Sequence, residues 1–235
     1  MASTLDKSLT VSILIPSLNE EKNLPFVLPR IPSLPEIIEI ILIDGSSTDN
    51  TIKVAKDLMP GIKIVLDPGI GKGEAINCGA RAASGDYFLI LDADGSHRPE
   101  EISLYIAKAK EGYDLVKGSR FLGGIRTDDE TLDHAIALRV AQFTANTLWH
   151  TSFTDICYGM LLIDRQKYLA LRIMAKRYDV EWELMAKAAK ASMKIVEVPV
   201  RETRRLNGKS HLSIIKDGWI IAKAVFREGL RKREA

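Results

Sequence analysis

Short apolar, β-branched runs recur along the first half of the chain. Each is followed by a stretch whose apolar positions return at helical spacing. The runs are VSILIP (11–16), IIEIILID (37–44), IKIVLD (62–67), YFLILDAD (87–94) and DLVKGSR (114–120). They are too continuous to face water on alternate residues, so they predict strands covered on both faces. Segments 21–30, 48–58, 73–83 and 99–111 predict helices, the last opening on Pro99, which suits a first helical turn. Strand and helix in alternation predict an α/β fold, with a mostly parallel central sheet flanked by helices.

The second half has a different rhythm. Helical patterns at 132–150 and 178–192 enclose a short strand, YGMLLID (158–164), and KIVEVPV (194–200) adds another. A basic loop, RETRRLNGKSHL (201–212), leads into a C-terminal amphipathic helix. On a 3.6-residue period Ile214, Ile215, Trp219, Ile221, Ala222, Val225, Phe226 and Leu230 share one face, flanked by Lys216, Lys223, Arg227 and Arg231. A basic amphipathic helix carrying a tryptophan can lie in a membrane interface. The same pattern also suits packing on its own domain or in a homodimer. No linker-like composition divides the chain. Residues 1–212 therefore read as one domain, with halves at about 11–120 and 121–212, followed by a basic helix over 213–235.

Composition narrows this little. The chain has 235 residues, 46% hydrophobic and 27% charged, ordinary for a globular protein with a sizeable core. A net charge of +2 gives no field for a polyanion, so nucleic acid is not an expected partner. Cys78 and Cys157 lie far apart and suit a reducing, cytoplasmic compartment. His97, His134, His150 and His211 form no zinc-binding spacing. The N-terminus lacks a signal-peptide pattern and no run is long enough to span a bilayer. The expectation is a cytoplasmic protein, peripheral at most on the inner face of a membrane.

Chemistry in an open parallel sheet collects at the carboxyl ends of the strands. There this sequence sets Asn19, Glu20 and Glu21, then Asp44, Ser46 and Asp49, then Asp92 and Asp94, then Arg120. Asp92 and Asp94 stand two apart, so on an extended chain they point the same way. Adjacent carboxylates repel unless a cation lies between them, and magnesium is commonly held by one or two carboxylates plus substrate phosphates. The pair therefore predicts a site for a divalent ion and, through it, a diphosphate. Asp49 also suits the opening of a helix. Three other motifs fail. DPGIGKGEA has Leu66 where a phosphate loop needs Gly and Gly73 where it needs Ser or Thr. Glu74 stands where GxGxxG would end, and Ser103 where an EF-hand needs Glu.

Taken together, VSILIPSLNEEKNL, IDGSSTDNT, GKGEAINCGARAASGDYFLILDADGSHRPEEI and GSRF resemble the nucleotide-sugar domain of inverting family 2 glycosyltransferases, which have the GT-A (nucleotide-diphospho-sugar transferase) fold. TDICYGMLLIDR, EWEL and RLNGKSHL resemble the dolichyl-phosphate and polyprenyl-phosphate mannosyl- and glucosyltransferase branch. The resemblance implies that Pro16, Asn19 and Glu20 form a nucleotide-binding segment, with Asp44 on the nucleobase. It implies metal binding by Asp92 and Asp94, and an arginine near the acceptor phosphate at Arg120. Asp155 and Glu183 correspond to acceptor-side acids, Arg205 to the arginine of a loop closing over the donor diphosphate, and Lys72 to a phosphate-side cation. The sequence departs from the pattern at Gly45, where a second Asp is common, and at His211, where a lysine is. Gln142 and Phe143 replace an expected serine region beside Arg139.

The function implied is a metal-dependent (Mg²⁺ or Mn²⁺) inverting transfer of a hexose from a nucleotide sugar to a polyprenyl or dolichyl phosphate. GDP-mannose, UDP-glucose and UDP-N-acetylglucosamine all remain open as donors. A lipid phosphate needs arginines such as Arg120 and Arg139, whereas a saccharide acceptor, as in surface polysaccharide synthesis, needs a base, with Asp155 first and Glu183 second. A nucleotidyltransferase is the remote alternative, since PSLNEEKNLP lacks the glycine-rich loop such enzymes use.

Overall fold

The computed structural model describes residues 9–122, 132–208 and 214–230. Seven strands form one sheet: β1 (Val11–Ser17), β2 (Ile37–Asp44), β3 (Lys63–Leu66), β4 (Tyr87–Ile90), β5 (Leu115–Ser119), β6 (Leu161–Asp164) and β7 (Ile195–Pro199). Their order is β3-β2-β1-β4-β6-β5-β7. β1 is parallel to β2 and β4, β2 to β3, and β5 to β7. β6 runs antiparallel to both its neighbours, β4 and β5, so those two run the same way. The carboxyl ends of β1 to β5 thus open on one edge.

Burial on both faces explains the continuous apolar runs. Along β1, Val11, Ile13 and Ile15 enter one core and Leu14 the other, as a period of two requires. The first core is covered by α1 (Leu24–Val27), α2 (Thr51–Leu58) and α4 (Ile102–Lys110). The second is covered by α3 (Lys72–Ala82), α5 (Leu132–Trp149), α6 (Arg165–Leu171), α7 (Val180–Lys190) and α8 (Ile214–Leu230). The expected α/β architecture is therefore present. Two local departures matter. β4 stops at Ile90 rather than at Asp94. The helix α6, not expected from the pattern, starts because Asp164 ends β6 and its side chain accepts from the Lys167 N–H (2.9 Å).

The terminal helix packs on the domain. Ala224 and Val225 are buried, and Trp149 Nε1 donates to the Val225 carbonyl at 3.3 Å. Glu228, also buried, accepts from Arg227 Nε (2.9 Å) and pairs with Lys190 of α7 (3.7 Å). The single apolar face expected of α8 is thus divided. Val225 turns inward, whereas Trp219 (65% exposed), Phe226 (55%) and Leu230 (84%) turn outward. His211, Arg231 and the side chains of Ile214, Ile215 and Lys216 lie outside the described residues. Among the described residues no helix is long and apolar enough to cross a membrane.

Candidate active site

A crevice of about 860 Å³ lies along the carboxyl edge of the sheet. The end of β1 contributes Pro16, and the loops after β1 to β5 contribute Glu20, Gly45, Asp67, Asp92 and Asp94, and Arg120. The opposite wall is Glu181 and Trp182 of α7, with Ala141 of α5 and Ile221, Val225 and Phe226 of α8. This convergence of strand ends is the one the sequence predicts.

The first two loops brace each other. Asn19, in the left-handed region (φ 57°), accepts from the Thr48 N–H (2.8 Å), and its own N–H donates to Ser47 Oγ (2.9 Å). Asn19 therefore ties two loops together and does not line the crevice. Asp49 accepts from the Glu21 and Thr51 N–H groups (3.1 and 2.9 Å) and steadies the start of α2. Asp44 accepts from the Ser47 N–H through Oδ2 (3.0 Å), while its buried Oδ1 has no hydrogen-bond partner. An unmet buried acceptor is costly unless a ligand supplies the donor.

Asp92 and Asp94 part company. The strand has already ended, and Gly95 turns the chain with φ +80°. Asp92 faces Lys72 Nζ at 2.8 and 3.0 Å. Lys72 Nζ also meets Glu181 Oε1 at 3.1 Å. The Asp92 N–H donates to His97 Nδ1 (3.1 Å), which fixes the imidazole with its proton on Nε2, 3.7 Å from Asp92 Oδ2. Burial would raise the Asp92 pKa, but the Lys72 ammonium outweighs it and holds it at about 2. Burial pushes the His97 pKa down, partly offset by Asp92 and Asp94.

Asp94 accepts from the Ser96 N–H and Oγ (2.9 and 2.7 Å) through Oδ1. Its Oδ2 meets Arg205 Nη1 at 3.2 Å, and the same guanidinium pairs with Glu20. Burial raises the Glu20 pKa, partly offset by Asn23 and Arg205. The loop carrying Arg205 is strapped down: the Leu206 N–H donates to the Asp94 carbonyl (3.1 Å), and Asn207 Nδ2 to Asn23 Oδ1 (3.0 Å). Among the described residues no group of three or more His, Cys, Asp or Glu side chains is arranged to hold a metal on its own. Asp94, whose cation is an arginine on a loop, fits an ion shared with a diphosphate. Asp92 has a different partner, Lys72, so in this structure the two carboxylates of the expected metal pair each face a cation of the protein.

Beyond the end of β5, Arg120 and Asp155 form a two-pronged pair, Nε to Oδ2 at 2.7 Å and Nη2 to Oδ1 at 3.0 Å. The remaining Asp155 valences accept from the Arg120 and Tyr158 N–H groups (3.1 and 3.2 Å). Asp155 is 1% exposed and does not line the crevice. Burial would raise its pKa, but Arg120 outweighs that and keeps it below the usual range. Arg120 Nη1 turns the other way, to Glu202 Oε2 (2.7 Å). Arg139 lies over the Phe121 ring, its guanidinium carbon 5.0 Å from the centroid.

Glu183 is not a crevice residue. It is fully buried, accepts from the Met174 and Ala175 N–H groups (3.1 and 2.6 Å), and pairs with Lys187 (2.6 Å) and Arg227 (3.1 Å). Two residues along a helix turn by about 200°, so Glu181 faces the crevice when Glu183 faces inward.

Residues 12–171, about two thirds of the chain, match the family described as Glycosyl transferase family 2. The chain belongs to glycosyl transferase family 2. An uncharacterised glycosyltransferase of Mycobacterium tuberculosis is 32% identical over 213 residues, covering 90% of this chain and 94% of that one. Glycosyltransferase AglJ of Haloferax volcanii is 29% identical over 223 residues, covering 92% and 71%. Glucosyl-3-phosphoglycerate synthase from Mycobacterium tuberculosis, solved with Mn²⁺, UDP and phosphoglyceric acid, superposes with a TM-score of 0.75 at 21% identity over 95% of this chain and 80% of that one. That likeness is one of fold, and it identifies the α/β architecture as GT-A.

In this family 2 glycosyltransferase the sequence reading misses Asp67, His97, Glu181 and Glu202, all of which line the crevice. His97 and Glu181 carried usable signals. His97 follows the aspartate pair within the same loop, and Glu181 lies in the first turn of a predicted helix, two residues before Glu183. Asp67 ends a predicted strand. Glu202 comes from a loop remote in sequence and had no local signal.

Proposed function

We propose that this glycosyltransferase moves a hexose from a nucleotide sugar to a polyprenyl or dolichyl phosphate, with inversion at the transferred carbon. The observation that carries this reading is the two-part character of the crevice. Its strand-end half is charged, whereas its far half, between α5, α7 and α8, is mostly apolar through Ala141, Trp182, Ile221, Ala222, Val225 and Phe226, with Thr144 and Glu181 as its polar members. Phe226 lines that arm and is still 55% exposed, so the arm reaches the surface beside the outward Trp219. A charged head with a long apolar tail matches both halves. Peripheral membrane contact through α8 belongs to the same reading, with Lys223 Nζ 5.3 Å from the Trp219 ring centroid.

On the donor side the buried, unpartnered Asp44 Oδ1 suits an N–H of a nucleobase. The structural neighbour solved with Mn²⁺, UDP-glucose and phosphoglyceric acid supports a nucleotide sugar and a divalent ion here too. When bound, Mg²⁺ or Mn²⁺ supplies neutralisation of the departing diphosphate, and Asp94 is the residue that would hold it. Arg205 stabilises the same developing charge once it leaves Glu20 and Asp94. On the acceptor side a phosphate oxygen is already ionised and needs no strong base. Asp155 and Glu183, both consumed in buried ion pairs, are poor bases, which favours such an acceptor. Arg120 would draw the acceptor phosphate as Glu202 yields it.

The test is titration of the protein with UDP, GDP and their sugars, with and without Mn²⁺. It is followed by transfer assays on dolichyl and undecaprenyl phosphate. Metal-dependent binding of one nucleotide, lost in Asp94→Ala, and transfer to the lipid are expected. Transfer to a free saccharide and not to the lipid would overturn the acceptor. In that second reading Glu202, a crevice carboxylate, would take the hydroxyl proton.

A further inference from the structure

We propose that Glu183 is a positioning residue for the donor half of the crevice, and that through its pair with Arg227 the terminal helix α8 sets the affinity for the nucleotide. The inference rests on the donor reading above and goes beyond it.

Glu183 does not line the crevice, yet its carboxylate closes a junction of three elements. Oε1 accepts from the Met174 N–H (3.1 Å) and meets Lys187 Nζ (2.6 Å). Oε2 accepts from the Ala175 N–H (2.6 Å) and meets Arg227 Nη2 (3.1 Å). Lys187 Nζ also donates to the Leu171 and Arg172 carbonyls (3.1 and 2.8 Å), so α7 grips the chain where it leaves α6.

The gripped segment in turn fixes the start of α3. The Glu74 N–H donates to the Lys176 carbonyl (3.3 Å). A Cβ on Gly73 would stand 2.3 Å from the Ala175 carbonyl oxygen, and one on Gly71 would stand 2.7 Å from that of Lys176. Those neighbours are backbone atoms, which cannot swing aside as the end of a side chain can. Lys72 lies between the two glycines, so its backbone is held from both sides. Gly69, Ile70, Gly71 and Lys72 line the crevice, and Glu183 reaches them only through this run of backbone contacts.

Arg227 brings in α8. Lys187, one turn further along α7, already supplies a positive charge to the carboxylate. The second cation comes from a different element, directly after Phe226, which lines the apolar arm. A shift of α8 therefore acts on Oε2, the atom that holds Ala175 against Gly73. A buried ion pair is weak evidence of a stabilising role. A continuous path of packed and hydrogen-bonded groups is one physical means by which separated sites are coupled.

The experiment measures affinity for UDP and GDP with Mn²⁺ by calorimetric titration, beside the urea midpoint, on the full chain, Glu183→Gln and Arg227→Met. Asp114→Asn loses an ion pair with Lys167 just before β5, at the end away from the crevice, and reports the effect of lost stability alone. Both test variants are expected to bind the nucleotide that wild type prefers roughly 3- to 30-fold more weakly, the range over which residues on such a path act without touching a ligand. Asp114→Asn is expected to stay within about twofold of wild type, as a distant and independent site should. Arg227→Lys, which keeps the charge, is expected to recover part of the loss. Arg227→Met leaves Glu183 its lysine and both N–H donors, so it decides the matter if Glu183→Gln does not fold. Unchanged affinity in Arg227→Met overturns the inference while the donor reading stands, and so does an equal loss in Asp114→Asn. Failure of wild type to bind any nucleotide overturns both.

Discussion

Arg205 reaches Asp94 across the mouth of the crevice, Nη1 to Oδ2 at 3.2 Å, and Glu20 holds the other arm of its guanidinium. The positive charge that a metal would place on Asp94 is supplied here by the protein. A cation entering that site must displace Arg205, which then becomes available to the diphosphate. Arg205→Ala should therefore raise the Mn²⁺ affinity of the donor-free protein several-fold, read by electron paramagnetic resonance titration. The same substitution should lower turnover by roughly 10²- to 10³-fold, the scale of losing one preorganised donor to developing charge. Unchanged Mn²⁺ affinity would refute the competition.

Arg120 and Asp155 are a buried pair joined by two parallel hydrogen bonds. Removing one partner of such a pair strands the other inside, at about 3–5 kcal/mol. Asp155→Asn should thus lower the urea midpoint sharply with an unchanged slope. A catalytic base predicts the opposite signature: a large loss of kcat with stability preserved.

Acid sensitivity should trace in part to Asp92. Its folded pKa is about 2 against the ordinary 3.8. The folded state prefers the ionised carboxylate, so this contribution is complete above about pH 4 and is lost as pH falls toward 2. Asp92→Asn removes it. Between pH 4 and 2 the wild-type unfolding midpoint should fall more steeply than that of the variant. Parallel curves would mean that Lys72 does not stabilise the carboxylate in solution.

The sheet was legible in the sequence because burial on both faces leaves no polar alternation, so VSILIP and IIEIILID announce themselves. Convergence of the strand ends followed from parallel topology. The pairings were not legible. Asp92 and Asp94 look like one metal clamp in an extended chain, and only the end of β4 at Ile90 sends them to Lys72 and Arg205. The resemblance points to Glu183, whereas helical period puts Glu181 on a different face, the one toward the crevice. The partition of α8 depended on α5 and α7, and a pattern on one helix contains no information about its neighbours.

The outward residues of α8 give a last prediction. Trp219 and Phe226 sit seven residues apart on one side of the helix, and both are more than half exposed. Ala224 and Val225, both buried, hold the helix to the domain. Replacing the two aromatic residues by serine should leave the fold intact, since neither is in the core. If they receive the apolar tail of the acceptor, each loses on the order of 1 kcal/mol of contact. KM for a long-chain lipid phosphate should then rise about tenfold or more, with donor affinity unchanged and vesicle association weakened. A short, water-soluble acceptor phosphate should show no such change. An equal effect on both acceptors would place the aromatic residues outside the tail's path and leave the apolar arm without its proposed occupant.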